Sequence, residues 1–88
     1  MKKFTFITEY RGGTYISQFE GFDLNALLLV WCEKLDSRYF TKKKKEQISI
    51  EIKGLNNTPV RVSTLDNVWC SCFLSGKFFL LLTIVETV

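Results

Sequence analysis

Few residues in this chain have the types and spacing for chemistry. None of its 88 residues is histidine, which removes the commonest general acid–base and the usual hydrolytic triads. The carboxylates Glu9, Glu20, Glu33, Asp36, Glu46, Glu51 and Asp66 show no spacing that pairs an acid with a base. Cys70 and Cys72 lie two apart on one face of an apolar run, with Cys32 far upstream. A closed zinc site wants about four nitrogen or sulfur donors, so three thiols in one chain fall short unless two copies share the metal. Cys32 comes late in an apolar stretch of helical character, where the helix dipole works against the thiolate a nucleophile needs. Gly12-Gly13 is a turn and not a phosphate loop, because no helix begins directly after it. These residues predict no catalytic group, no metal and no cofactor, and they favour binding over catalysis.

Two features suit binding. Lys42, Lys43, Lys44 and Lys45 run together, with Lys34 and Arg38 shortly before them. Such a run is most often a solvated face. Its sharper meaning is a phosphate-contacting patch whose affinity falls steeply with salt. The net charge of +3 permits a nucleic-acid or acidic partner without requiring one. Tyr10, Tyr15, Trp31 and Trp69 have faces on which bases stack, although aromatic residues so spaced more often build a core.

The elements that must position these groups centre on Phe4 to Leu35. Two alternating runs flank Gly12-Gly13, whose glycines accept positive φ and so suit a two-residue hairpin turn. That turn predicts Arg11 opposite Thr14, Tyr10 opposite Tyr15, Phe6 opposite Phe19 and Phe4 opposite Gly21. Phe4, Phe6, Thr8, Tyr10, Tyr15, Ser17 and Phe19 then share one greasy face, and Ile7, Ile16, Gln18 and Glu20 fall on the other. Asp23 is suited to cap a helix that runs from Leu24 to Leu35 or Asp36. Leu24, Leu27 or Leu28, Trp31 and Leu35 would lie on the aromatic face of the hairpin. Ala26 to Cys32 is apolar without a break, so this helix needs a second cover besides the sheet.

Further along, Gln47 to Lys53 fits two patterns. Ile48, Ile50 and Ile52 alternate as in a strand, which is the preferred expectation, while Ile48, Ile52 and Leu55 also make a helical stripe. Gly54 to Pro59 has the composition of a loop, and Val60 to Val62 of a short extended piece. Asn67 to Leu74 and Lys77 to Glu86 form a second hairpin about Ser75-Gly76. It is expected to set Phe73 opposite Phe78, Ser71 opposite Leu80 and Trp69 opposite Leu82. Both its faces are apolar, as in a strand buried on two sides.

The whole predicts one α+β domain over residues 1–88. Its antiparallel sheet would run in ββαββ order with one main helix on one face, and residues 41–53 would add a short strand or helix. No apolar run reaches the ~20 residues of a membrane helix. The N-terminal run breaks at Glu9 and Arg11, so a cytoplasmic protein with reduced thiols is expected, without a membrane partner.

Phe4 to Gln18 (FTFITEYRGGTYISQ), the apolar helix ending in Trp31, and NVWC at Asn67 to Cys70 with the apolar strand ending at Thr87 resemble a family of small uncharacterised bacterial proteins of roughly this length. The resemblance covers about two thirds of the chain and matches least over residues 37–63. It implies a hairpin–helix–hairpin fold and supplies no activity. A weaker likeness is to HicB-type antitoxins, which also open strand–turn–strand–helix and bind a partner toxin on a sheet surface. Their hairpin loop is longer, and their DNA-binding tail has no counterpart here.

One helix covers one face of a small sheet. The opposite face, with Ile7, Ile16, Cys70, Cys72, Phe79 and Leu81, must therefore meet something else: a second helix from Thr41 to Ile52 is one candidate cover, and a second copy of the chain, or a partner protein, is the other. The nucleic-acid alternative rests on Lys34, Arg38, Lys42, Lys43, Lys44 and Lys45.

Overall fold

A computed structural model describes residues 2–54, 60–61, 67–75 and 78–87. The elements follow as β1 (Lys2–Tyr10), β2 (Gly13–Gly21), α1 (Leu24–Glu33), α2 (Lys42–Lys53), β3 (Val60–Arg61), β4 (Val68–Ser75) and β5 (Phe78–Thr87). The fold is α+β, but its order is ββααβββ where ββαββ was expected. All strand pairs are antiparallel, in the spatial order β2-β1-β5-β4-β3. The last strand, one arm of the second hairpin, therefore pairs with the first strand of the chain, and the segment expected to add a short strand or helix adds a second helix.

The first turn is Arg11-Gly12, not Gly12-Gly13. Both residues take positive φ, 50° and 80°, as a primed two-residue hairpin turn requires. Tyr10 thus faces Gly13, Thr8 faces Tyr15 and Phe4 faces Phe19, a shift of two residues from the expected register. A left-handed arginine costs roughly 1–2 kcal/mol, and cross-strand pairs offset it at about 0.2–1 kcal/mol each. In this register Ile7 meets Ile16 and Lys3 meets Glu20, with Lys3 Nζ 3.9 Å from a Glu20 carboxylate oxygen. The Gln18 amide also donates to Thr5 Oγ1 at 3.0 Å. The Arg11 guanidinium, carried out by the turn, stacks 4.5 Å from the Phe78 ring centre. The second hairpin shifts in the same way. Phe73 faces Leu80, Ser71 faces Leu82 and Trp69 faces Ile84, and its loop at 76–77 lies outside the described residues. Because strands have period two, a slip of two leaves every side chain on its expected face.

Helix α1 begins where Asp23 Oδ1 accepts the Asn25 N–H at 3.0 Å. It ends at Glu33, short of the expected Leu35 or Asp36. There the Asp36 carboxylate accepts the Arg38 N–H at 2.9 Å and turns the chain. Thr41 then caps α2 by accepting the Lys44 N–H. The strand expected over Gln47 to Lys53 is instead the second half of this helix. Ile48 and Ile52 are buried and Ile50 is 71 % exposed, the pattern of one helical stripe. The expected loop at 55–59 and Val62 lie outside the described residues.

Both helices lie on one face of the sheet. Phe4, Phe6, Tyr10, Phe73, Leu80, Leu82 and Ile84 supply the sheet's side of the core. Leu27, Leu28, Trp31, Phe40, Ile48 and Ile52 supply the other. The second cover that α1 needed is α2, which packs beside it, and the Cys32 thiol donates to the Lys45 carbonyl at 3.3 Å. Helix grease is thus mostly hidden by the chain's own middle segment. Sheet grease is not.

Candidate functional site

The uncovered face of the sheet is an ordered array. One transverse row reads Ile16, Ile7, Thr83, Cys70, set by the β2–β1, β1–β5 and β5–β4 registers. The next row towards the turn reads Thr14, Glu9, Leu81, Cys72, and the row on the other side reads Gln18, Thr5, Val85, Val68. Phe79 stands beyond them. The structure brings all six surface residues expected from the sequence onto this one face. Ile16, Phe79 and Leu81 are 68, 70 and 45 % exposed, Cys72 is exposed, and Ile7 and Cys70 are half-buried by their neighbours.

The described charges on this face are few. Lys3 and Glu20 stand at one end, and Glu9 lies towards the other, beside Leu81. Between them the described side chains are Thr5, Gln18, Thr83, the two thiols and aliphatic groups. Thr5 Oγ1 and Thr87 Oγ1 share a hydrogen bond at 2.6 Å, and Thr5 also holds Gln18. Thr5, Gln18 and Thr87 are tied to one another, which lowers the cost of desolvating that part of the face on contact with a partner.

The cationic residues form no comparable surface. Arg38 is clamped to Asp36 by three side-chain hydrogen bonds at 2.8, 3.1 and 3.2 Å. That pairing holds the Asp36 carboxyl below its ordinary range and pushes the Arg38 guanidinium up. The four lysines fan around the first turn of α2. Lys45 donates to the Glu33 carbonyl at 3.1 Å, and Lys42 and Lys45 line a groove between the helices alongside Glu33 and Glu46. Lys34, Lys42 and Lys43 remain exposed. The run and the carboxylates beside it were legible in sequence, but the pairing of Arg38 with Asp36 was not.

Burial pushes the Cys32 thiol up, Glu33 adds to this, and Lys45 opposes it. Its surroundings therefore favour the protonated form, the reverse of what activates a nucleophile. No group of three or more metal-ligating side chains converges among the described residues. A cleft of about 180 Å³ opens between β2 and the segment after α1, lined by Tyr15, Ser17, Trp31, Lys34 and Tyr39 among others. It is smaller than the roughly 300 Å³ at which small-molecule pockets begin. Sequence reasoning did not foresee it, because Tyr15 and Tyr39 meet only in space, with ring centres 6.0 Å apart. No described helix is long and apolar enough to cross a membrane.

Comparison with protein families, with characterised proteins and with solved structures finds no match to this chain. The resemblances to small bacterial proteins and to HicB-type antitoxins therefore rest on the quoted residues alone.

Proposed function

We propose that this chain is a non-enzymatic protein-interaction domain that works as a homodimer, the uncovered face of its sheet closed by the same face of a second copy. The observation that carries this is the open row Ile16, Ile7, Thr83, Cys70 with exposed Phe79 and Leu81 beside it. Four long strands, spaced about 4.8 Å and roughly 30 Å long, give about 600 Å² of projected face. A standard interface takes ~800 Å² of accessible surface from each partner, which the relief of the side chains brings within reach. The central row is neutral, and antiparallel stacking of the face on itself sets the Lys3–Glu20 end against the end that carries Glu9, so that Glu9 can meet Lys3. Regulation of another protein through this domain is the biological role that such a surface suits.

Light scattering across a concentration series tests the proposal. A mass above one chain is expected, falling when Phe79→Lys and Leu81→Lys are combined. Alkylation of Cys72 should slow as the wild-type concentration rises. A single-chain mass at millimolar concentration, with Cys72 labelling independent of concentration, would sink the idea.

The nucleic-acid alternative on Lys34, Arg38 and Lys42 to Lys45 has less support, since Asp36, Glu33 and Glu46 sit among those cations. A salt titration with short RNA and DNA separates the two readings.

A further inference from the structure

The sheet has two lateral edges, and they differ. At one, the described part of the edge strand β3 is Val60–Arg61, two residues, and short edge strands are one way natural sheets blunt an edge. At the other, β2 runs nine residues, and its pairing with β1 proceeds from Gly13 to Gly21 without a bulge. It holds no proline and no lysine, and its one charge is Glu20. Among the described residues no strand pairs with its outer side. Apart from Glu20 near one end, the devices that keep edges apart are missing along β2.

Turn geometry says which backbone groups are open. In a two-residue hairpin the pair flanking the loop exchanges both hydrogen bonds, and alternate pairs follow. Tyr10–Gly13, Thr8–Tyr15, Phe6–Ser17 and Phe4–Phe19 are therefore the bonded pairs. The N–H and C=O groups of Thr14, Ile16, Gln18 and Glu20 point outward. We infer that this edge pairs antiparallel with β2 of a second copy about a two-fold axis at Ser17, joining two sheets into one. Gly13 then faces Gly21 of the second copy, so the full strand is used. Thr14 meets Glu20, Ile16 meets Gln18 and Tyr15 meets Phe19, with no like charges opposed. Each outward backbone group finds a partner. The Tyr15–Phe19 contact falls on the helix side, beside the cleft that Tyr15 lines. The contact goes beyond the proposed stacking of faces, for it uses a different surface and a different axis. With both, four chains assemble in dihedral symmetry. With the edge alone, two chains do.

Two measurements test the edge. Gln18→Pro removes an outward N–H without removing a bond to β1, whereas Gln18→Ala keeps it. Light scattering should give half the wild-type mass for the proline variant and the wild-type mass for the alanine variant, with unchanged circular dichroism. Independently, Ser17→Cys in a background carrying Cys70→Ser and Cys72→Ser places two thiols across the axis. There a non-bonded pair sits about 4.5 Å apart at Cα, within disulfide range. Mild oxidation should convert most of that protein to a covalent dimer, while Gln18→Cys in the same background should not cross-link. A wild-type mass of one chain, a Gln18→Pro mass equal to wild type, or failure of Ser17→Cys to cross-link overturns the edge pairing. If Gln18→Pro does not fold, the cross-link decides. A mass that responds to Phe79→Lys with Leu81→Lys but not to Gln18→Pro leaves the face and removes the edge. The converse removes the face and leaves the edge.

Discussion

Trp31 Nε1 donates a hydrogen bond to Thr8 Oγ1 at 3.0 Å, with Trp31 only 2 % and Thr8 1 % exposed. Helix α1 is thereby pinned to the middle of β1 by one polar contact inside an aromatic cluster, where Trp31 lies 6.2 Å from Phe6 and 5.8 Å from Phe73 between ring centres. A buried indole usually finds such a partner, because an orphaned N–H in the core is expensive.

Thr8→Val keeps the shape and removes the acceptor. It is expected to destabilise the fold by about 1–3 kcal/mol, the cost of an unsatisfied buried donor. Trp31→Phe in the Thr8→Val background should cost less than the two single changes added together, since no donor is then stranded. Urea unfolding of the four proteins checks this. Strict additivity would show that the hydrogen bond contributes nothing.

The first turn makes a second prediction. Gly12→Ala forces a side chain onto a residue at φ 80° and should cost about 1–2 kcal/mol. An added Cβ at Gly13 meets only the far end of Tyr15, whose hydroxyl lies 2.8 Å away. Tyr15 can swing aside, so Gly13→Ala should cost less than ~1 kcal/mol. Thermal melts of both variants rank them, and the reverse order would contradict the observed turn.

Helix α2 opens with Lys42, Lys43 and Lys44 directly after its Thr41 cap, and positive charge is unfavourable at that end of the helix dipole. Lys44→Glu reverses the charge and completes a capping box with Thr41. Stability should rise by about 1 kcal/mol, measured by denaturant midpoint. An unchanged or lower midpoint would mean that Lys44 makes a compensating contact. Were the run a nucleic-acid contact, the same substitution would weaken binding.

Cys32 gives a pH dependence. Its folded value lies above the ordinary thiol value of 9.0, chiefly through burial. The folded state then holds more protons than the unfolded chain in alkaline solution, and stability falls wherever that is so. This contribution is full below 9.0 and is lost as pH rises from there through the folded value. Cys32→Ala should flatten the alkaline decline in stability as pH rises above 9.0. Iodoacetamide should label exposed Cys72 well before buried Cys32 in the native protein.

The alternation of Phe4, Phe6, Thr8 and Tyr10 against Ile7 and Ile16 determined the two faces of the first hairpin, since period-two patterning survives any even slip of register. Asp23 as a cap and the apolar stripe to Trp31 likewise follow from local chemistry. The open surface, Ile16 to Leu81, was legible for the same reason. Side-chain parity needs no knowledge of what packs where.

Tertiary structure decided the rest. Arg11-Gly12 and Gly12-Gly13 are both acceptable turns locally, and the choice falls to cross-strand pairs such as Ile7–Ile16 and Lys3–Glu20. Ile48, Ile50 and Ile52 fit a strand or a helix until a core exists to bury two of them and leave Ile50 in water. The insertion of β5 between β1 and β4 pairs Phe4–Glu86 and Tyr10–Leu80 across long stretches of chain. No short-range pattern encodes that placement, because its energy comes from burial that appears only when the whole chain has closed.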